Sequence, residues 1–394
     1  MTSNIDLSGI SRRTALATAG ALGALGAAMA AGTGATAAPG VKAPKPALNF
    51  GQDGKFKVVQ FNDTQDDEQT DRRTIELMNG TLDAENPDFV VINGDVINGG
   101  CDTGLEVKQA LNQVVQPMES RKIPWAVTFG NHDEDSVART GMTEAKMLQF
   151  LQSYSFNVNS DSTDGVTGTS NSLLLVQSSK SKAPAFGLWL IDTGRYAPDS
   201  INGQDFAGYP DWDWVRMDQV TWYRNLSIAT EQKYGRKIPS LMWGHIALHE
   251  HRNMWFASLD SRTDADHQRA VQKHGIVGER NEDECPGPFN SGLFSAFLER
   301  GDVRGYFVGH DHVNTYAGNY YGVELGYGPG TGFGAYGLPG ADRNRLRGAR
   351  VFELDENHAG VYKSSRLVFA KDMGIDLTAN DQPITPLPLN PAQQ

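Results

Sequence analysis

From residue 55 onward the chain alternates short apolar runs with polar clusters, and the spacing inside the runs separates strands from helices. Phe56-Lys57-Val58-Val59-Gln60-Phe61, Phe89-Val90-Val91-Ile92 and Pro124-Trp125-Ala126-Val127-Thr128-Phe129 are short, apolar and bounded by turn residues, and predict three strands. Between them, residues 70–85 carry Ile75, Met78 and Leu82, and residues 105–118 carry Leu105, Ala110 and Val114, at helix-like spacing. Strands alternating with helices predict α/β layers. Further on, Ser172-Leu173-Leu174-Leu175-Val176 and Gly187-Leu188-Trp189-Leu190-Ile191 predict two strands close in sequence. Residues 212–232 predict a helix, and Ser240-Leu241-Met242-Trp243 and Gly305-Tyr306-Phe307-Val308 two more strands. The stretch from Val313 to Phe369, rich in Gly, Tyr and Val, reads as mostly β, and beyond Asp372 polar residues and prolines predict a loose tail. No internal repeat or interdomain linker interrupts the pattern. One domain is therefore expected over residues 49–370, followed by a polar, proline-containing tail over 371–394.

Composition and the N-terminus narrow the class. Of 394 residues, 39% are hydrophobic and 21% charged, which suits a soluble globular protein with a sizeable core. A formal net charge of -12 argues against a general electrostatic attraction to nucleic acid. The first 37 residues read as a targeting segment: Ser11-Arg12-Arg13-Thr14, an Ala/Gly-rich run from Ala15 to Ala31, then the small-x-small site Ala35-Thr36-Ala37. This arrangement resembles a bacterial twin-arginine export signal. It implies folding before export, passage through the Tat (twin-arginine) translocase and a secreted or extracytoplasmic location. Gly20, Gly23, Gly26 and the scarcity of large apolar side chains argue against a membrane anchor there, and no other segment is long and apolar enough to span a bilayer. Residues 38–48, with Pro39, Pro44 and Pro46, read as a linker. Cys101 and Cys285 make neither a disulfide scaffold nor a CxxC-type zinc site; after export they form either one bridge or two separate thiols.

Candidate chemistry sits where the predicted strands end. Asp63 follows the first strand in Asn62-Asp63-Thr64-Gln65, Asn93-Gly94-Asp95 closes the second, and Gly130-Asn131-His132-Asp133-Glu134 closes the third. Gly244-His245 closes the strand at 240–243, and Gly309-His310-Asp311-His312 the strand at 305–308. Taken singly, Gly-Asp or Asn-His after a strand is a common turn, and a lone histidine is more often a satisfied polar residue than a ligand. His310 and His312 are more specific, because i, i+2 side chains on an extended segment share a face. Five such loops at strand ends, where α/β sheets place their sites, supply a mixed oxygen and nitrogen donor set suited to divalent and trivalent metals.

The order Asp…Gly-Asp…Gly-Asn-His-Asp…Gly-His…Gly-His-Asp-His resembles the calcineurin-like metallophosphoesterase superfamily over about residues 55–355. Lys122-Ile123-Pro124-Trp125, Asn290-Ser291-Gly292-Leu293-Phe294, His310-Asp311-His312-Val313-Asn314 and Gly326-Tyr327-Gly328-Pro329-Gly330-Thr331-Gly332-Phe333-Gly334 are similar to a branch of plant and fungal purple acid phosphatase-like proteins. The resemblance implies a four-layer α/β fold, a central β-sandwich of two mixed sheets flanked by helices, with two metal ions at the strand ends. It implies that Asp95 bridges both ions, that Asp63 and His312 hold the first, and that Asn131, His245 and His310 hold the second. His132 then stays uncoordinated beside the substrate, with Asn131 and His245 close to it. Two ions roughly 3.5–4 Å apart neutralise phosphate oxygens and lower the pKa of a bound water; the hydroxide attacks in line and His132 protonates the leaving oxygen as general acid. Hydrolysis of phosphorylated small-molecule or lipid esters is expected, a phosphomonoesterase ahead of a phosphodiesterase that cleaves lipid head groups or cyclic nucleotides on the same metal core.

The chain departs from its apparent relatives at two donors. They carry Asp-x-His in the first motif, where Gln65 stands here, and purple acid phosphatases proper carry a tyrosine where Asn98 stands. A carbonyl oxygen from Gln65 or Asn98 is a harder, neutral donor, so the metal identity is open among Mn, Fe, Zn, Mg and Ca, and no tyrosinate colour is expected. The same departure admits a contrasting class, a protein that binds metal or phosphate without catalysis; the retained His132 argues against it. Asp66, Asp67 and Glu68 read as a solvated acidic loop, and His249 and His251 as surface histidines. The glycine-rich run from Gly326 to Gly337 lacks a following Gly-Lys-Ser/Thr and reads as β-turn structure or a rim loop. Arg195, Tyr196 and Arg252 are phosphate-partner candidates without motif support.

Overall fold

The computed structural model describes residues 45–393 apart from Pro210. Residues 1–37, where an export signal is expected, and residues 38–44 of the expected linker lie outside the described residues. In chain order the first half reads β1 (Lys55–Phe61), α1 (Arg72–Glu85), β2 (Phe89–Asn93), α2 (Gly104–Arg121), β3 (Trp125–Thr128), α3 (Val137–Thr140), α4 (Glu144–Leu151), β4 (Ser172–Gln177) and β5 (Pro184–Leu190), then a small hairpin of β6 (Ser200–Ile201) and β7 (Gln204–Asp205). The second half reads α5 (Met217–Tyr234), β8 (Ser240–Trp243), α6 (His249–Phe256), α7 (Asp264–His274), α8 (Leu293–Arg300), β9 (Val303–Val308), β10 (Ala317–Tyr320), β11 (Val323–Tyr327), β12 (Gly348–Asp355) and β13 (Tyr362–Phe369).

Local chemistry sets the helix ends. Asp71 accepts from the Arg73 N–H at the start of α1, and Asn86 ends it in the left-handed region at φ 45°. At the start of α2, Thr103 and Glu106 satisfy each other's backbone N–H groups in a capping box. One expected boundary moves: the helix predicted from residue 212 begins at Met217, because the preceding segment runs antiparallel to Tyr196 at Trp212.

The strands form two sheets, in the orders β13-β12-β1-β2-β3 and β10-β11-β9-β8-β5-β4. In the first, β1, β2 and β3 are mutually parallel and β12 is antiparallel to β1; in the second, β5, β8, β9 and β11 run parallel and β4 and β10 antiparallel at the edges. Phe56, Val58, Phe89 and Val91 of one sheet and Leu188, Leu241, Trp243 and Phe307 of the other fill the core between them. The outer face of the first sheet packs Val90 and Ile92 against Met78, Leu111 and Leu148 of α1, α2 and α4. The outer face of the second packs Trp189, Met242 and Tyr306 against Tyr223, Met254, Ala270 and Phe297 of α5 to α8. Both faces of each sheet are covered, which is why the central strands read as continuous apolar runs rather than alternating ones. This is the four-layer fold of two mixed sheets flanked by helices that the resemblance implied.

The segment after β13 departs from expectation. Its polar groups pair with the start of α1: Arg73 Nη1 donates to Thr378 O (2.7 Å), Gln382 N to Asp71 (3.0 Å) and Ile384 N to Thr70 O (3.0 Å). Apolar contacts add to these bonds: Met373, Ile375 and Leu377 pack on Leu77 and Phe333, and Leu389 is buried in the core beneath the first sheet's helices. Cys101 and Cys285 are separate thiols. No described helix is long and apolar enough to cross a membrane.

Candidate metal centre

The parallel strands β1, β2 and β3 of one sheet and β8 and β9 of the other each run directly into one of the five motif loops. The loops fold back sharply. Asp63 (φ 50°), Gln65 (φ 31°), Asp95 (φ 47°) and His310 (φ 71°) all lie in the left-handed region, which costs a non-glycine residue about 1–3 kcal/mol and collects at functional sites. Two glycines let the loops close: a Cβ on Gly94 would stand 2.3 Å from His245 Nδ1, and one on Gly130 would stand 2.3 Å from Asp95 Oδ1.

The loops bring their donors to one point. Nε2 of His245 lies 3.1 Å from Asp95 Oδ2 and 3.8 Å from Asp63 Oδ1, and Nε2 of His312 lies 3.5 Å from Asp63 Oδ1. The donors fall into two sets that share Asp95: Asp95, His245 and His310 in one, Asp63, Asp95 and His312 in the other, each with donor atoms within 4.8 Å of one another. His245 Nδ1 faces Asn93 O (3.0 Å) and His312 Nδ1 faces Tyr336 O (3.2 Å). A carbonyl only accepts, so Nδ1 carries a proton in both rings, and Nε2 is the nitrogen that would ligate a cation.

The chemistry of the donor set fits cations. Asn131 Oδ1, His310 Nε2 and Gln65 Oε1 are buried with no hydrogen-bond partner, and Asp95 Oδ2 and His245 Nε2 have only each other, at 3.1 Å. Leaving one such group unpaired costs about 1–3 kcal/mol, and a cation that accepts several lone pairs at once would satisfy them together. Without one, protons take up the strain. Burial raises Asp95, but the charge and hydrogen bond of His245 together with the charge and backbone N–H of His132 outweigh it and hold the carboxyl below its usual range. Burial lowers His245, and Asp95 pushes it back up to about 10. Burial, and then the His245 charge, keeps His310 well below the ordinary imidazole value.

Among the residues singled out from sequence, Asp63, Asp95, His245, His310 and His312 meet here. Asn131 follows Gly130, which touches Asp95, and its buried amide makes no hydrogen bond. Gln65 N donates to Asp95 O (3.0 Å) and its side-chain oxygen is buried and unpartnered, whereas Asn98 spends its oxygen on Gly100 N (2.7 Å). Asp66 closes its own loop by accepting from Asp71 N (2.7 Å). Arg252 pairs with Glu284 away from the donors. His251 is not a surface residue; it is buried against Tyr306 and Tyr327. The glycine-rich run lies against the first motif: Thr331 N donates to Asn62 O and Gly332 N to Asp63 O (both 2.9 Å), and Tyr336 stacks on His312 at 4.0 Å.

His132 is half-buried, its backbone N–H donates to Asp95 Oδ1 (2.8 Å), and its Nδ1 pairs with Asp135. Tyr196 Oη donates to Asp135 Oδ1 (3.0 Å), and Arg195 reaches Asn131 O (3.2 Å), Glu134 (3.2 Å) and Asp135 (3.0 Å). Burial lowers the His132 pKa, but the Asp135 hydrogen bond and the Asp95 charge more than offset it, and the net shift is upward. Asp133 is a part that sequence reading left without a role. Its carboxylate accepts from Gly130 N (2.7 Å), Val96 N (2.8 Å) and Ile97 N (3.1 Å), clipping the third loop to the second.

A four-layer α/β fold with a buried, paired set of carboxylate and imidazole donors at the strand ends defines a metallophosphatase-type protein. Residues 56–314 match the calcineurin-like phosphoesterase family, and the chain belongs to it. On its purple acid phosphatase-like branch, the chain is 29% identical over 325 residues to "Probable inactive purple acid phosphatase 14" of Arabidopsis thaliana, covering 74% of each chain. It is 30% identical over 340 residues to "Probable inactive purple acid phosphatase 29" of the same plant, covering 79% of each. Among solved structures, a dimetal phosphatase from Danio rerio aligns with 80% of this chain and 99% of its own at 13% identity and a TM-score of 0.43.

Proposed function

We propose that this chain is a dinuclear metal-dependent phosphoesterase acting on phosphorylated small-molecule or lipid esters, with phosphomonoesters preferred. One observation carries the reading: buried, unpartnered donor atoms from loops of both sheets crowd around a shared Asp95. In this reading Asp63, Gln65, Asp95 and His312 hold one cation, and Asp95, Asn131, His245 and His310 hold the other. Two cations there, drawn from Mn, Fe, Zn, Mg or Ca, neutralise phosphate charge and supply an activated water. His132 stands beside the donors with Nδ1 held by Asp135, which leaves Nε2 to carry a proton to the leaving oxygen. Asp95 Oδ1 accepts the His132 backbone N–H, which ties the loop carrying that imidazole to the shared carboxylate.

A second reading, binding of metal or phosphate without catalysis, draws support from Gln65 and from relatives named as probable inactive phosphatases. Release of p-nitrophenol from the mono-ester and the bis-ester, measured with each metal in turn, separates the readings. Mono-ester turnover that depends on metal supports the phosphomonoesterase; preference for the bis-ester makes it a phosphodiesterase. Phosphate binding with no turnover under any metal leaves the non-catalytic reading. Export through the twin-arginine route is proposed on Arg12 and Arg13, and retention of an Arg12→Lys, Arg13→Lys variant in the cytoplasm tests it.

A further inference from the structure

The mechanism uses little of the segment between β5 and α5, yet that segment is built onto the candidate centre at both ends. Its outgoing limb begins with Arg195, fixed to the His132 loop, and Tyr196, in T-shaped contact with the His132 ring at 6.4 Å. Its return limb brings Trp212 into T-shaped contact with His310 at 4.5 Å, and Tyr196 and Trp212 pair as neighbours across the two limbs. Beyond this base, Phe206 and Tyr209 pack at 5.4 Å, and Phe206 meets Phe289 at 6.0 Å. Phe289 comes from the loop after Cys285, whose N–H donates to Asp311 between His310 and His312. A Cβ on Gly287 would stand 2.2 Å from Asp213 O, so that loop lies directly on the return limb. Between them Ile201, Asp205, Phe206, Tyr209, Pro288 and Phe289 help to line a cavity of about 290 Å³.

We propose that this cavity holds the alcohol part of the substrate, and that the part is an uncharged, ring-bearing apolar group; the inference rests on the phosphoesterase reading. A cavity of about 150 Å³ accepts a benzene ring, so 290 Å³ takes one or two rings. Its polar lining is Asn202, Gln204 and Asp205, with no lysine or arginine, which disfavours a second anionic group such as a further phosphate and leaves the rings of Phe206, Tyr209 and Phe289 to meet an apolar one. Tyr209 and Phe289 are 63% and 48% exposed, an unusual outlay of aromatic surface for groups that support no core.

The test uses the metal-loaded protein and two non-hydrolysable probes, phenylphosphonate and methylphosphonate, with binding followed by tryptophan fluorescence. Phenylphosphonate is expected to bind about 10-fold more tightly than methylphosphonate. Phe289→Ala and Tyr209→Ala, both exposed and checked for an unchanged thermal midpoint, are expected to remove most of that preference while leaving methylphosphonate affinity in place. Equal binding of the two probes by the wild type overturns the inference, as does a preference that survives both substitutions. If neither probe binds and no ester is hydrolysed, the phosphoesterase reading itself fails and takes the inference with it; turnover without aryl preference sinks the inference alone.

Discussion

Asp133→Asn tests how the donor loops are held together. The wild-type carboxylate takes Val96 N and Ile97 N on one oxygen and Gly130 N on the other. Asparagine keeps one acceptor and replaces the second with an amide donor. The side chain turns its oxygen to the Val96 and Ile97 pair, and the buried Gly130 N–H is left facing another donor. An unpaired buried donor costs about 1–3 kcal/mol, and weakening the two bonds that remain adds about 1 kcal/mol, for a loss of about 2–4 kcal/mol. With an unfolding entropy of about 2.1 cal/mol/K per residue over roughly 350 residues, that loss lowers the thermal midpoint by about 3–5 °C. Gly130 and Val96 flank Asn131 and Asp95, so the donors move with the clip, and metal affinity falls by about 10–100-fold, as for other groups that orient ligands. Differential scanning calorimetry and metal analysis after dialysis read both effects. A variant with the wild-type midpoint and wild-type metal retention would refute the clip.

Other expectations follow from the same geometry. His132→Ala is expected to keep full metal content while turnover falls about 10²–10⁴-fold, measured as kcat on a phosphomonoester; equal turnover removes the imidazole from its acid role. Burial holds His251 neutral with its pKa lowered to about 4, against an ordinary value of 6.5. The folded pKa lies below the unfolded one, so this contribution is complete above pH 6.5 and is lost as pH falls toward 4, by roughly 3 kcal/mol at one unit per about 1.4 kcal/mol. His251→Gln should therefore flatten the acid limb of the stability curve between pH 6.5 and 4 in denaturant titrations; an unchanged limb contradicts the assignment.

The strands and the donor loops were legible because both are local. A run such as Phe89–Ile92 declares a strand by composition, and Gly94-Asp95 directly after it declares a tight turn with a carboxylate at its tip. The supports were not legible, because each is a pairing between distant segments. Nothing near Arg73 announces Thr378 O as its acceptor, and nothing near Trp212 announces the His310 ring. His251 was misjudged because six residues after His245 the chain has become a helix, and only the packed fold shows that this face of α6 meets Tyr306 and Tyr327. Gln65 stood out as a departure from the usual ligand; its positive φ and unpartnered oxygen became visible only in three dimensions.

The most direct test of the central claim is the number of ions each chain retains after loading with Mn, Fe, Zn, Mg or Ca and removal of the excess, counted by elemental analysis beside an Asp95→Asn variant. Two ions per wild-type chain, and loss of both when the shared carboxylate is removed, is the predicted result. A wild-type chain that never holds more than one ion under any supply, or an Asp95→Asn chain that still holds two, contradicts it.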